Sequence, residues 1–183
     1  MKRVAQREVY RNKWLTFYED AIERGNGTPG IYSWADKPPC AIIIPYDGNS
    51  LTLIRQYRYP IQQWSLEFPM GAVEGEPGLT PEKIARQELR EETGLLAGTL
   101  TELGSFYLAC GVLNQIASVW LAESLVPTER APELEESDLT VHTMTVPEFD
   151  ACLRKGEIID GPTLTAYWMW QSRRALDRGP RTD

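Results

Sequence analysis

Glu88, Glu91 and Glu92 stand at i, i+3 and i+4, a spacing that gathers side chains on one face of a helix. On a wheel of about 100° per residue with Glu88 at zero, Glu92 falls near +40° and Glu91 near −60°. Ile84 (about −40°), Leu95 (about −20°), Ala85 (about +60°), Leu96 (about +80°) and Leu89 (about +100°) occupy the same arc. Arg86 and Arg90 fall near 160° and 200°, on the opposite side. The ordinary role of a glutamate-rich helix is a solvated charged face, yet here the carboxylates lie among residues that should face the core. Glu88 and Glu92 are like charges one turn apart, which costs a few tenths of a kcal/mol. Crowding carboxylates against apolar surface costs more unless a cation compensates. The arginines of this helix point the wrong way, so a divalent metal is the simplest compensation. Hard, all-oxygen ligands favour Mg²⁺ or Mn²⁺.

These residues need a scaffold, and the composition says what kind. At 183 residues the chain fits one domain with room for an appendage, large enough to stand without disulfide staples. With 26 acidic and 19 basic residues the formal charge is −7, which argues against nucleic acid as a partner, since such binders present a basic face. No apolar run approaches the ~18 residues of a membrane span. Met1-Lys2-Arg3-Val4-Ala5-Gln6-Arg7-Glu8 lacks the apolar core of a secretory signal. Cys40, Cys110 and Cys152 are widely spaced with no CxxC pair, so neither a disulfide framework nor a zinc site is expected, and a reducing cytoplasm is. A single histidine, His142, leaves no multi-histidine chemistry and falls in a strand.

The first third reads as β-structure. Residues 14–22 are rich in aromatics and precede the turn Arg24-Gly25-Asn26-Gly27. Residues 31–34 form a returning strand, and the apolar run 41–46 turns through Asp47-Gly48-Asn49-Ser50 into residues 51–58 as a hairpin. Residues 64–68 are extended. A helix starts with Thr80 as N-cap and Pro81 at its first position, and Gly94 suits its left-handed C-terminal cap. Strands follow near residues 100–106, 116–122 and 139–144, with an acidic loop over 127–138. Thr145-Val146-Pro147-Glu148 opens a second helix as a capping box, ended by Gly156, and a third begins after Asp160-Gly161-Pro162. Strands in groups separated by helices make an α+β fold.

Gly71-Ala72-Val73-Glu74-Gly75-Glu76, followed after a longer loop by Gln87-Glu88-Leu89-Arg90-Glu91-Glu92-Thr93-Gly94-Leu95, resembles a Nudix box, Gly-x5-Glu-x7-Arg-Glu-U-x-Glu-Glu-x-Gly-U with U aliphatic. Two departures stand out. Glu76 lies five residues after Gly71 and eleven before Gln87, and Gln87 replaces the family arginine. Arg86 sits about 100° away on the wheel, too far to take its place. The lead-in Leu53-Ile54-Arg55-Gln56-Tyr57-Arg58 with Trp64-Ser65-Leu66-Glu67-Phe68-Pro69-Met70-Gly71 is similar to that of ADP-ribose pyrophosphatases and related nucleoside-diphosphate-sugar hydrolases. The ending, Val146-Pro147-Glu148-Phe149 and then Gly156-Glu157-Ile158-Ile159-Asp160, resembles the same subfamily.

The resemblance implies a Nudix α/β/α sandwich with a mixed sheet over residues 40–176, an N-terminal antiparallel β segment over 1–39 that serves a homodimer, and a frayed tail over 177–183. It implies metal ligation by Glu88 and Glu92, by Glu91 directly or through water, and by the main-chain carbonyl of Met70. Arg58 corresponds to an arginine that contacts substrate phosphates, with Arg55 and Glu67 as further substrate-binding candidates. Trp14 and Trp34 match aromatic positions that sandwich a nucleobase across a swapped dimer in some relatives. An acidic residue of the late loop serves as base, here Glu135 or Glu136. Relatives often carry an acid where this chain has Gln115. The implied reaction is metal-assisted hydrolysis of a small nucleoside-diphosphate-linked substrate; ADP-ribose would give AMP and ribose 5-phosphate. The alternative is a Nudix-fold protein that binds a nucleotide sugar without turnover.

Overall fold

The computed structural model describes residues 1–72, 79–130 and 138–177. The chain runs β1 (Lys2–Arg11), β2 (Thr16–Glu23), β3 (Pro29–Asp36), β4 (Cys40–Pro45), β5 (Ser50–Arg58), a 3₁₀ turn (Tyr59–Ile61), β6 (Gln63–Glu67), β7 (Met70–Gly71), α1 (Pro81–Thr93), β8 (Leu95–Tyr107), β9 (Ile116–Pro127), β10 (Thr140–Thr145), α2 (Val146–Lys155) and α3 (Gly161–Asp177). The strands form three sheets, ordered β1-β2-β3, β10-β5-β6 and β7-β4-β9-β8.

Strand β4 is the keel. All six of its residues are buried, the pattern of a strand covered on both faces, and it pairs in parallel with β9, Ile42 opposite Val119. Alternation along β4 divides the core. Ala41 and Ile43 pack with Ile84, Ala85 and Leu89 of α1. Cys40, Ile42 and Ile44 pack with Phe149 of α2 and Ala166, Tyr167 and Trp170 of α3. Helices on both faces of a mixed sheet, with a separate antiparallel N-terminal sheet, make the expected α+β architecture.

Helix α1 ends where its residues say it should. Thr80 Oγ1 accepts a hydrogen bond from Lys83 N, Pro81 is the first helical residue, and Gly94 closes the helix at φ 69° with its N–H on Arg90 O. Its buried residues are Ile84, Ala85, Glu88, Leu89, Glu92 and Thr93, while Arg86 and Arg90 are exposed. Leu95 and Leu96 belong to β8 instead, since the chain leaves the helix at Gly94. The capping box at Thr145 and Glu148 forms as expected.

One expectation changes. The turn at residues 47–50 is present, with Asp47 Oδ1 accepting from Asn49 N and Ser50 N, but β4 and β5 do not form a hairpin. Apart from a single bridge between Tyr46 and Leu51, the two strands belong to different sheets. The apolar run of β4 is satisfied by β9, and β5 takes β10 and β6 as partners. Strand β1, in turn, has no apolar alternation to announce it: all ten residues are exposed, and it is held by its ladder to β2.

Candidate active site

A cleft of about 830 Å³ opens between the middle of α1, the β6–β7 bend and the start of α3. Glu88 projects into it from the buried face of α1. Its carboxylate lies against the backbone of Gly71, where a Cβ would come under 3.0 Å from both carboxylate oxygens. Glycine at this position is therefore a requirement of close approach. Glu92, one turn on and 1% exposed, lies behind the cleft wall and accepts a hydrogen bond from Met70 N at 2.9 Å. The β6–β7 bend is held at every residue. Ile43 N donates to Pro69 O at 2.9 Å, and Phe68 N donates to Thr163 Oγ1 at 2.9 Å. Thr163 N in turn donates to the Asp160 carboxylate at 2.8 Å. Met70 and Gly71 thus present their backbone at a fixed place on the cleft wall.

Alternation on β5 and β6 sorts the arginines. Gln56 and Arg58 share the inner face with Ser65 and Glu67. Glu67, 1% exposed, receives Arg58 Nε at 2.9 Å on Oε1 and Arg58 Nη2 on Oε2. Burial alone would pull the Arg58 guanidinium down, and the pairing with Glu67 outweighs it, so its pKa stays above the ordinary value. Arg55 faces the other way, its guanidinium 4.5 Å from the ring centroid of Trp64, and does not line the cleft. Asp160 does line it, and burial followed by the Glu67 charge pushes its pKa up. Cys40 is a cleft residue as well, but burial raises its thiol to about 11, which keeps it protonated and no nucleophile at neutral pH.

The structure separates the two tryptophans. Trp14 lines the cleft, half exposed, with Lys13 Nζ 4.4 Å from its ring centroid. Trp34 lies in a different groove of about 300 Å³ with Tyr32 and Tyr107, its Nε1 donating to Asp20 at 3.0 Å. Glu91 does not line the cleft in this chain and accepts a hydrogen bond from Gln87 Nε2 at 3.2 Å. Among the described residues no group of three or more His, Cys, Asp or Glu side chains is gathered to hold a metal. Glu74, Glu76, Glu135 and Glu136 lie outside the described residues.

A family model for the NUDIX domain matches residues 36–162, and one for the nucleoside diphosphate sugar hydrolase N-terminal domain matches residues 1–34. The chain belongs to the NUDIX family. Among its relatives, ADP-ribose pyrophosphatase of Bacillus subtilis is 31% identical, with 96% of this chain and 95% of that protein covered. Methanol dehydrogenase activator of Bacillus methanolicus is 26% identical over the same shares. GDP-mannose pyrophosphatase of Citrobacter koseri is 28% identical over 86% of this chain and 76% of its own length. A solved structure described as an ADP compounds hydrolase superposes with a TM-score of 0.84 over 98% of this chain and 97% of its own, at 22% identity, and shows the NUDIX fold.

The NUDIX box helix is α1, and Gln87 stands in the cleft where the family pattern has arginine. Arg86 does not replace it: its guanidinium pairs with Glu82 and with Ala97 O, away from the cleft. Several lining residues were not singled out from the sequence: Lys13, Lys37, Ser65 and Asp160. The helix start after Asp160-Gly161-Pro162 was legible. What could not be read is that Asp160 stands beside the Arg58–Glu67 pair, because that proximity joins elements about a hundred residues apart.

Proposed function

We propose that the cleft hydrolyses the diphosphate of ADP-ribose or a related nucleoside-diphosphate sugar, giving a nucleoside monophosphate and a sugar phosphate. The observation that carries this reading is Glu88, a box carboxylate set against Gly71 inside a cleft that also holds the Arg58–Glu67 pair. The relatives named for pyrophosphatase activity on ADP-ribose and GDP-mannose support it.

The donor set suits a hard divalent cation, Mg²⁺ or Mn²⁺. Glu88 and Glu92 supply carboxylate oxygens a helical turn apart, and the gap left by the missing Cβ of Gly71 lets Glu88 approach the backbone of the bend. Glu91, directly or through water, and the Met70 carbonyl complete the proposed ligands. When bound, such an ion neutralises diphosphate charge and that developing on the leaving phosphate. Arg58 and Trp14 both line the cleft, and in this reading they meet the phosphates and an aromatic base. In the same proposal Arg55 and Trp34 contribute only at the rim or through a second subunit, and Glu135 or Glu136 takes the proton of the attacking water.

A homodimer belongs to this reading. The β1–β3 sheet leaves Val4, Val9, Tyr10, Phe17 and Ile31 exposed, apolar side chains that a second copy of the sheet would cover. Light scattering should give twice the chain mass; a monomer at working concentration would remove the dimer from the account. Three free thiols fit a reducing, cytoplasmic location, which fractionation of the source cells tests. Among the described residues no helix is long and apolar enough to cross a membrane.

The activity is tested with a panel of nucleoside-diphosphate sugars, Mg²⁺ and an excess of alkaline phosphatase, which frees phosphate only from cleaved substrates. Release is expected from at least one member at kcat above about 1 s⁻¹. Tight binding across the panel with no release would mark a binder in place of an enzyme.

A further inference from the structure

Three cationic side chains line the cleft among the described residues: Lys13, Lys37 and Arg58. They are not equally disposed toward an anion. Arg58 has two of its three guanidinium nitrogens on Glu67. The Lys13 ammonium stands over Trp14. Lys37, half-buried at the cleft wall, has no ion-pair or side-chain hydrogen-bond partner for its ammonium among the described residues.

The backbone that carries Lys37 is the opposite of free. Lys37 N donates to Asn114 Oδ1 at 3.0 Å, and Asn114 Nδ2 reaches back to Asp36. One residue on, Gln115 Nε2 donates to Pro38 O at 2.8 Å, with the Gln115 side chain buried. Ala35 N donates to Val112 O at 2.8 Å just before this stretch, and Pro38 and Pro39 fix φ after it. A short linker between β3 and β4 is thus clamped by residues 112–115, and the Lys37 side chain it carries lines a cleft that, on the proposed reading, accepts phosphates. The clamp also explains an amide at 115. A glutamate there would set an acceptor against the Pro38 carbonyl, where the structure needs a donor.

We propose that Lys37 is a substrate-contacting residue that binds the diphosphate, and that Gln115 is a positioning residue that holds Pro38 so that the Lys37 ammonium reaches it. The proposal rests on the reading of this cleft as a diphosphate site. Lysine acts here as a point charge on phosphate oxygens, taking the share of recognition that Arg58 cannot give while it is held by Glu67.

Steady-state kinetics on ADP-ribose test it. Lys37→Gln should raise KM roughly 10- to 30-fold with kcat within about threefold, and should weaken the salt dependence of kcat/KM. Lys37→Arg should recover most of the loss. Gln115→Glu should raise KM similarly, and the double variant Lys37→Gln/Gln115→Glu should be no worse than the poorer single one. Lys155→Gln, which removes an exposed charge paired with Glu157, should change nothing. Calorimetric titration with inorganic pyrophosphate under chelation reads the same contact without turnover, and the wild type should bind more tightly than Lys37→Gln. An unchanged KM or equal pyrophosphate affinity in Lys37→Gln overturns the contact, and an unchanged KM in Gln115→Glu overturns the positioning role. Pyrophosphate binding that depends on Lys37 in a protein that cleaves nothing would overturn the hydrolase reading alone.

Discussion

Glu92→Gln loses turnover by roughly 10³-fold or more, while its thermal midpoint stays within about 5 °C of the wild type. The two halves of this result follow from one side chain. Glu92 is buried and accepts from Met70 N, and a glutamine oxygen can accept the same hydrogen bond. The bend at Met70 and Gly71 is therefore retained. What the amide cannot do is supply negative charge to a cation, and removing one of two like charges a turn apart does not weaken the helix. Initial rates with saturating Mg²⁺ and a thermal melt decide the matter together. A variant that folds and turns over at the wild-type rate would show that Glu92 only pins the bend and takes no part in metal binding.

Gly71→Ala is the second large effect, expected at roughly 10²-fold or more in kcat. The new Cβ would fall under 3.0 Å from the Glu88 carboxylate, a distance real Cβ atoms do not tolerate. The nearest atoms are the far end of a side chain, so the carboxylate moves and the backbone stays. Gly71 carries no left-handed φ, and alanine introduces no backbone strain. The fold should survive with little loss of stability while Glu88 is displaced. Affinity for Mn²⁺, followed by calorimetry, should fall in parallel with kcat. Full activity in Gly71→Ala would mean that Glu88 does not work from the position seen here.

The carboxylate face of α1 was legible because every signal for it is local. Thr80, Pro81 and Gly94 set the ends of the helix, and the 3.6-residue period puts Glu88 and Glu92 among Ile84, Ala85 and Leu89. The same rule overreached by two residues, since the periodicity of Leu95 and Leu96 continues past a glycine that turns the chain into β8. Local reasoning failed where partners are distant. The Asp47 to Ser50 turn looked like a hairpin because turn chemistry is visible in sequence, whereas the choice of β9 as partner for β4 is not. Strand β1 escaped notice because an exposed strand needs no apolar alternation.

The site shows the same division. Arg58 and Glu67 lie nine residues apart on adjoining strands, and strand alternation brings them together. Lys37 and Gln115 are joined only by the packing of residues 112–115 on the β3–β4 linker. Gln115, conspicuous in the sequence as a missing acid, becomes intelligible once its amide is seen on Pro38 O.

In the proposed reaction this cleft, with a divalent cation held by the box glutamates, splits a diphosphate between its two phosphorus atoms. The most direct measurement is the ³¹P NMR spectrum of ADP-ribose incubated with the protein and Mg²⁺. The two diphosphate resonances should give way to two phosphomonoester resonances in equal amounts, those of AMP and ribose 5-phosphate, in the wild type and not in Glu92→Gln or under chelation. Diphosphate resonances that persist for ADP-ribose and for every other sugar of the panel, or conversion that proceeds unchanged in chelator, would contradict it.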